Sequence, residues 1–302
     1  MIKKKCLMPL FLFIVLFCNI FLTDYELLGS GVRDSGSEMQ KDEAIRLFTD
    51  ANEKYVEAAK FITVKNNQEA EKKLHDAALQ YEKILINGFK HGQIYYNLGN
   101  TYYRRGELGK AIVNYRRAQR LMPRNTDLNA NMRLVKSIIE DKELSHETPA
   151  VIQKVFFWLF FLNQNELIAT AMSIYGVLMV LLLLLIIFRY RWCKKIIPGF
   201  IVCLCIIVIS IGIKLYREEG VDRGVITSEK CYVRYGPGEE YEPKFEIHDG
   251  AECVVEDEKD GWYRVYVYIS VAEGTDVKVG SGEKISENIR RGWLQKKDID
   301  II

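Results

Sequence analysis

Two long apolar runs in the second half of the chain constrain its fold more than any other feature. The run from Leu167 to Phe188 contains 22 residues without a charge, and a second uncharged run extends from Ile196 to Ile213. The hydrocarbon core of a bilayer is about 30 Å thick and needs roughly 20 helical residues to cross it. We therefore predict transmembrane helices at residues 167–188 and 196–216, the second extended past Lys214, whose amine can snorkel to the interface. Buried core helices of a soluble protein are disfavoured, because no other part of the chain is apolar enough to cover them.

The short connection between the two runs, residues 189–195, is strongly basic. It carries four positive charges and no negative ones. By the positive-inside rule such a loop stays in the cytoplasm, so the regions before and after the hairpin lie on the opposite face. The pattern predicts a multi-pass protein of the cytoplasmic (inner) membrane with two extracytoplasmic, periplasmic domains.

The first 30 residues have the shape of a secretory signal. Three lysines at positions 3–5 precede the apolar segment 7–22, and such a segment delivers the following region across the membrane. Two alternatives remain for residues 1–30, a signal sequence cleaved near Gly29-Ser30-Gly31 and an uncleaved N-terminal anchor. Lipidation at Cys18 is disfavoured, because the bulky Phe17 stands where a small residue is expected.

Residues 92–125 form one 34-residue unit that resembles a tetratricopeptide repeat, a pair of antiparallel helices. Gly99 and Ala111 are small because the two helices approach closely there. Gly106 separates the helices, and Pro123 ends the pair. The positions expected on the inner faces are Tyr95, Leu98, Gly99, Tyr102, Ala111, Tyr115 and Ala118.

An earlier, stretched copy precedes this unit. Tyr81 lies 34 residues before Tyr115, whereas Asn52 lies 48 residues before Asn100, which leaves 14 extra residues in the first repeat. Either both helices are longer, so that residues 60–73 form the tip of a helical hairpin, or a polar loop stands there. A final helix with an apolar stripe at Leu128, Met132, Val135 and Ile139 caps the stack, giving an all-α, tetratricopeptide-like repeat domain over residues 40–148.

The first helices of such a stack line an inner groove. Amides, tyrosines and an arginine there suit an extended peptide, whose backbone needs hydrogen-bond partners. Some repeats of this family hold a peptide carboxylate, and Asn52, Asn97 and Arg104 resemble that arrangement in part, although Phe48 and Leu134 depart from it. An unspecialised protein-binding groove and a purely structural face are the alternatives. The candidate partner-binding residues are Asn52, Tyr55, Tyr96, Asn97, Asn100, Tyr103 and Arg104.

Residues 149–166 join the repeat domain to the first span and are rich in aromatic rings. Phe156, Phe157, Trp158, Phe160 and Phe161 follow one another closely. Aromatic rings are favoured at the headgroup level of a bilayer, so we expect an interfacial segment in contact with lipid.

The last region, residues 222–302, alternates apolar and polar residues with period two and predicts short β-strands. Its segments Val233–Gly238, His248-Asp249-Gly250, Gly261–Val265 and Gly292-Trp293-Leu294 resemble bacterial SH3-like domains, which implies an all-β SH3-like barrel. The stretch from Tyr266 to Arg291 is an insertion relative to that pattern and is interpreted as a long hairpin or a mobile loop. The resemblance implies peptidoglycan peptides as ligands, and the aromatic residues that suit them are Tyr232, Tyr235, Tyr241 and Trp262.

Two cysteines of this region, Cys231 and Cys253, are expected at inward positions of neighbouring strands. A disulfide can persist in an extracytoplasmic compartment. The alternative is a pair of buried thiols that act as small apolar residues.

Motifs of catalysis are absent from the sequence. The four histidines are far apart, no phosphate loop or Gly-x-Ser-x-Gly elbow occurs, and no metal-ligand spacing appears among the seven cysteines. The net charge of +2 gives no indication of nucleic-acid binding. We therefore expect no enzyme, no catalytic residue, no metal site and no cofactor.

The order of the modules is itself informative. A signal, the segment Tyr95–Tyr102 in a repeat, two spans and an SH3-like end resemble the BatE family of bacterial aerotolerance operons. The resemblance implies a scaffold in a Bat-type stress complex, with partners among envelope proteins, including the von Willebrand factor A domain proteins of the same operon. The leading hypothesis is a non-enzymatic membrane adaptor that acts through its groove. The alternative is a cell-wall sensor that binds peptidoglycan through the SH3-like domain.

Overall fold

The computed structural model describes residues 39–141, 154, 156–220, 222–268 and 289–302. The predicted signal sequence or anchor at residues 1–30 lies outside the described residues. The chain divides into two compact units, of which one holds residues 158–218 and the other holds residues 39–157 and 219–302. The second unit thus contains both the helical repeats and the β-strands, although the apolar helices separate them in sequence.

Five helices form the repeat domain. Helices α3 and α4 are the predicted pair, and Gly106 ends α3 in the left-handed conformation with φ of 82°. A Cβ atom on Gly99 would lie 2.6 Å from Cδ1 of Tyr115, so the close approach predicted at this glycine is confirmed. The apolar stripe predicted for the last helix is buried. The helices are α1 (Lys41–Thr63), α2 (Asn67–Ile86), α3 (Gly92–Arg105), α4 (Leu108–Leu121) and α5 (Thr126–Ile138).

The extra residues of the first repeat lengthen its helices. Helices α1 and α2 are joined by a turn of only three residues, 64–66, in which Lys65 has a positive φ of 57°. The side chain of Asn66 accepts a hydrogen bond from the backbone N–H of Glu69 and caps α2, as asparagine commonly does. Of the two alternatives for residues 60–73, the helical hairpin is therefore correct. The polar residues that suggested a loop, Asn66 to Gln68, form the N-terminal cap and the beginning of α2.

The other unit contains two long apolar helices. Helix α7 (Gln164–Phe188) and helix α8 (Cys193–Glu219) follow the short helix α6 (Phe157–Phe161). By length and composition both long helices can cross a membrane, with mean hydropathies of 2.8 and 2.9 over the spans Gln164–Phe188 and Cys193–Arg217. Helix α8 begins within the predicted basic loop, so only residues 189–192 connect the two helices.

The aromatic segment packs against the end of α8. Trp158 Nε1 donates a hydrogen bond of 3.1 Å to Ser210 Oγ, and the guanidinium of Arg217 lies 5.3 Å from the ring centre of Phe160. Lys214, expected to extend its amine outward, is 8% exposed and donates to the carbonyl of Leu162. The polar groups of α8 near its C-terminal end are thus satisfied by the segment that precedes α7.

The C-terminal region, residues 222–302, is a separate β domain with one antiparallel sheet. The sheet order is β3-β2-β6-β5-β4-β1-β7. Asp260 and Gly261 both have positive φ and form the two-residue turn between β4 and β5. Pairing of β5 with β6 continues to Tyr268 opposite Ile289, so the predicted long hairpin is confirmed at its base; residues 269–288 lie outside the described residues. The strands are β1 (Arg223–Ile226), β2 (Lys230–Arg234), β3 (Pro243–His248), β4 (Glu252–Lys259), β5 (Trp262–Tyr268), β6 (Ile289–Gln295) and β7 (Ile299–Ile301).

The two cysteines of the β domain are both buried, and the Cys253 thiol lies beside the Gly224 carbonyl. The prediction that they lie on neighbouring strands is wrong, because Cys231 is on β2, Cys253 is on β4, and two other strands separate these in the sheet. Burial raises the pKa of the Cys231 thiol to about 12. A thiol that stays protonated is a poor nucleophile, and both cysteines act as small core residues.

The β domain packs on the outer side of the repeat domain, against α4 and the end of α5. The turn before β4 approaches so closely that a Cβ atom on Gly250 would lie 2.6 Å from Cγ2 of Ile139. Asp249 Oδ1 accepts a hydrogen bond of 2.9 Å from the backbone N–H of Gly109. That N–H belongs to the first turn of α4, where the helix has no internal acceptor for it. The β domain therefore supplies part of the N-terminal cap of α4.

A buried carboxylate also joins the two domains. Glu252 is 9% exposed, and its oxygens lie 2.8 Å from Arg116 of α4 and 2.7 Å from Lys136 of α5. Burial alone raises the pKa of Glu252, but the two cations outweigh burial and hold the pKa below its ordinary value. The carboxylate is therefore ionised and paired at neutral pH, and it fixes α4, α5 and β4 together.

Candidate partner-binding site

The groove is the face formed by α1, α3 and α5, on which all seven predicted partner-binding residues lie. Hydrogen bonds across the helices bring these residues together. Asn97 Nδ2 donates to Asn52 Oδ1 at 2.8 Å and thereby links α3 to α1. Asn131 Nδ2 donates to Asn100 Oδ1 at 2.8 Å and links α5 to α3. Two polar links therefore cross the groove helices, one between α1 and α3 and one between α3 and α5.

A buried tyrosine donates a hydrogen bond to each of these two asparagine pairs. Tyr81 Oη of α2 donates to Asn52 Oδ1 at 2.6 Å, and Tyr115 Oη of α4 donates to Asn100 Oδ1 at 2.7 Å. Both tyrosines are fully buried, and burial raises the pKa of each phenol well above its ordinary value. The phenols stay protonated and act as fixed donors. We call each set of one core tyrosine and the two asparagines bonded in series to it a relay. The first relay is Tyr81, Asn52 and Asn97, and the second is Tyr115, Asn100 and Asn131.

The two relays repeat with the period of the repeat itself. Tyr81 and Tyr115 are 34 residues apart, and so are Asn97 and Asn131. Sequence reasoning assigned both tyrosines to the core alone and did not identify Asn131. The 34-residue spacing of the asparagines was the signal that could have found it.

Arg104 and Tyr55 form the edge of the groove. Arg104 Nε donates to Tyr55 Oη at 2.7 Å, and the guanidinium carbon lies 4.8 Å from the centre of the tyrosine ring. Stacking on the ring leaves Arg104 exposed while it orients the guanidinium. The exposed cation and the amides of the relays are on the same face.

Two of the tyrosines that were predicted to bind partners also help to pack the repeat domain. Tyr96 and Tyr103 are half-buried and pack against the core of the repeat domain, and the Tyr96 ring centre lies 6.2 Å from that of Tyr115. Both tyrosines therefore contribute to the packing of the repeat domain. The sequence also suggested that Asn52, Asn97 and Arg104 hold a peptide carboxylate. The side chain of Asn97 is already hydrogen-bonded within the protein, because its amide donates to Asn52 and its oxygen accepts from Gln93.

The aromatic surface expected on the β domain is present in part. Tyr232, Tyr235 and Tyr241 are 45%, 63% and 44% exposed. Lys230 and Lys244 lie 5.6 Å and 5.2 Å from the ring centres of Tyr232 and Tyr235. The prediction for Trp262 is wrong, since this side chain is 8% exposed and forms part of the β-domain interior.

No cluster of potential metal ligands occurs within residues 39–141, 154, 156–220, 222–268 and 289–302.

Residues 92–125 match the family model of the tetratricopeptide repeat. The matched bounds are the same as those of the repeat unit predicted from the sequence. No curated protein matches the chain. Tetratricopeptide repeats are typically non-catalytic modules that bind proteins on their inner face, so the chain carries a protein-interaction repeat.

Proposed function

We propose that this protein is a non-enzymatic, membrane-anchored adaptor that binds envelope proteins through its groove. The observation that carries the proposal is the placement of the β domain on the α4 side of the repeats. Asn52, Asn100 and Arg104 lie on the other side, where their polar groups are available to a partner. Tyrosine and arginine are the residues that most often dominate binding energies at protein interfaces.

The membrane hairpin fits the packing of the soluble domains. Two spans return the chain to the face from which it started, and the repeat and β domains belong to one compact unit. A single span between them would not allow this contact. The basic connection at residues 189–192 and the first turn of α8 favour a cytoplasmic loop, which makes both soluble domains extracytoplasmic.

The order of the modules supports a more specific assignment to a Bat-type aerotolerance or stress complex of the inner membrane. In that setting the partners are neighbouring envelope proteins, including those with von Willebrand factor A domains. Membrane anchoring confines such an adaptor to the surface on which membrane-tethered partners are concentrated.

Co-purification of partners with the full-length chain tests the adaptor function. The double substitution Tyr103→Ala with Arg104→Ala removes a ring and a cation from the groove. True hot spots cost at least roughly 2 kcal/mol each, so we expect partners to be lost. Because Tyr103 also packs against the repeat core, the single variant Arg104→Ala, which removes only an exposed cation, is measured beside it. We expect this single variant to weaken co-purification at the wild-type melting temperature. Lys230→Ala with Tyr232→Ala is the matched control, because it removes a cation stacked on an exposed ring of the β domain.

A second candidate function is a cell-wall sensor that acts through the β domain. The three exposed tyrosines with their two stacked lysines favour it, since such surfaces suit peptide and sugar ligands. The same pair of double variants separates the candidates when binding to purified peptidoglycan is also measured. If the Lys230 and Tyr232 variant alone loses its partners or its cell-wall binding, the adaptor groove is not the recognition site.

A further inference from the structure

Four cations surround the connection between the two long apolar helices, and no carboxylate is close to them in sequence. All four side chains are exposed. The chain contains no aspartate or glutamate from residue 167 to residue 217. The nearest carboxylates along the chain, Glu166 and Glu218, therefore lie at the far ends of α7 and α8. The four cations are Arg189, Arg191, Lys194 and Lys195.

The connection is too short to carry these cations away from the bilayer. Helix α7 ends at Phe188 and α8 begins at Cys193, so only residues 189–192 join them. The backbone N–H of Cys193 donates to the carbonyl of Tyr190 at 3.2 Å, which closes a tight turn. The Cys193 side chain is fully buried and belongs to the same apolar cluster as Leu181. In a membrane-spanning hairpin the cations are thus held at the level of the lipid headgroups.

Apolar side chains lie directly beside the cations. The ring centres of Phe188 and Tyr190 are 5.7 Å apart, and those of Tyr190 and Trp192 are 6.2 Å apart. Phe188, Trp192 and Ile196 are 55%, 42% and 42% exposed. Phe188 and Ile196 belong to the helices themselves, on the hydrocarbon side of the connection. A ligand that satisfies this surface carries an anionic group and an apolar part close together.

The positions of the two lysines are unfavourable for α8 alone. Lys194 and Lys195 lie in its first turn, which contains no acidic residue. The N-terminal end of a helix carries the positive end of the macrodipole, which repels cations and attracts anions. A bound anion beside this turn relieves that repulsion.

We propose that the end of the hairpin is a binding site for an anionic phospholipid of the surrounding leaflet. An arginine guanidinium binds phosphate oxygens through two parallel N–H bonds, and a lysine ammonium acts as a point charge. The acyl chains of the same molecule contact the exposed Phe188 and Ile196. Free phosphate would satisfy the cations but leave these apolar side chains uncovered. Because four cations exceed the charge of one phosphate, a lipid with two phosphates is expected to bind more tightly than a lipid with one.

Two double variants separate a specific site from the net charge of the chain. Arg189→Gln with Arg191→Gln removes both guanidiniums and keeps polar side chains of similar length. Lys41→Gln with Lys90→Gln is the matched control, because it removes two exposed cations of the repeat domain and changes the net charge by the same amount. Arg189→Lys with Arg191→Lys keeps the charge at the connection and serves as the conservative variant.

The experiment uses the full-length chain purified in detergent, where the direction of membrane insertion no longer affects binding. Native mass spectrometry measures the Kd of added phosphatidylglycerol, diphosphatidylglycerol and phosphatidylcholine. We expect both anionic lipids to bind at least about fivefold more tightly than phosphatidylcholine, and diphosphatidylglycerol to bind most tightly. The glutamine variant at the connection should lose at least about fivefold in affinity for the anionic lipids, whereas the matched control stays within about twofold of wild type. The conservative variant should stay within about threefold.

Each contrary result overturns a defined part of the proposal. Equal affinity of wild type for neutral and anionic lipids, or unchanged affinity in the glutamine variant, would overturn the site. Weak binding by the conservative variant would overturn charge as its cause. Displacement of the lipid by inorganic phosphate or by a polyglutamate peptide would overturn the assignment to a lipid.

The site rests on the proposed membrane hairpin, which is tested separately. Alkaline carbonate extraction of cell membranes should leave the wild-type chain in the membrane fraction. Release of the chain into the soluble fraction would overturn the hairpin itself. Melting temperatures of all the variants are compared with that of wild type, so that a folding defect is recognised as such.

Discussion

At the scale of single residues, tyrosines of the core hold the asparagines of the groove. Tyr81 and Tyr115 are inside the helix pairs, yet their hydroxyls donate hydrogen bonds to the side-chain oxygens of Asn52 and Asn100. Because burial raises the pKa of both phenols, the relays keep their direction at every physiological pH. A core position and a predicted partner-binding position are thus joined by one hydrogen bond.

Gly99 is a point of close packing between α3 and α4. Replacing glycine by alanine in a helix interior ordinarily stabilises a protein by roughly 0.5–1 kcal/mol. Here the added Cβ would lie 2.6 Å from the Tyr115 ring, so we predict that Gly99→Ala destabilises by about 1–3 kcal/mol. Urea unfolding of the full-length chain, followed by far-ultraviolet circular dichroism, measures the change. An increase in stability would contradict the close contact of α3 with α4.

At the scale of the elements, the end of α5 is held by charged groups of the β domain. The backbone N–H of His248 on β3 donates to Asp141 Oδ2 at 2.7 Å, and the ring Nδ1 lies 3.2 Å from the same oxygen. The ring Nε2 lies 2.9 Å from Glu246 Oε1, while Glu140 is 3.8 Å away. Lys230 of β2 pairs with Glu246 at 2.6 Å. An imidazolium at this junction therefore faces three carboxylates and one lysine.

The junction predicts a dependence of stability on pH. Burial lowers the pKa of His248, but Asp141, Glu140 and Glu246 outweigh burial and raise the pKa above its ordinary value of 6.5. A raised pKa means that the folded state binds the proton more tightly, so the stabilisation is complete below that ordinary value and is lost as pH rises through the folded pKa. Compared with His248→Gln, wild type should have its largest advantage in melting temperature near about pH 5.5 and a smaller one near about pH 8.5. Parallel melting profiles for the two proteins would refute the role of His248.

At the scale of the whole molecule, the kinds of module were predictable and their packing was not. The two spans, the repeat at 92–125 and the β-strands follow from hydropathy and period, which are local properties of the sequence. The contact between the domains depends on Arg116, Lys136 and Glu252, and single charged residues are normally assigned to a solvated surface. Glu252 is buried here because Arg116 and Lys136, both half-buried, pair with it. In the same way, Asn131 becomes part of the groove through a partner 31 residues away.

The membrane topology is the prediction on which the whole arrangement depends. Cys193, the native thiol beside the basic connection, is fully buried, so its failure to react would not report which side it faces. Trp192 is 42% exposed and Tyr235 is 63% exposed, which makes them suitable positions for introduced thiols. With intact cells made permeable only at the outer membrane, we expect a membrane-impermeant maleimide to label the Tyr235→Cys variant and not the Trp192→Cys variant. Disruption of the inner membrane should then make the second variant reactive, as the proposed cytoplasmic position of residues 189–192 requires. Labelling of the Trp192→Cys variant before that disruption would place the loop outside, and the groove would then face the cytoplasm instead of the envelope.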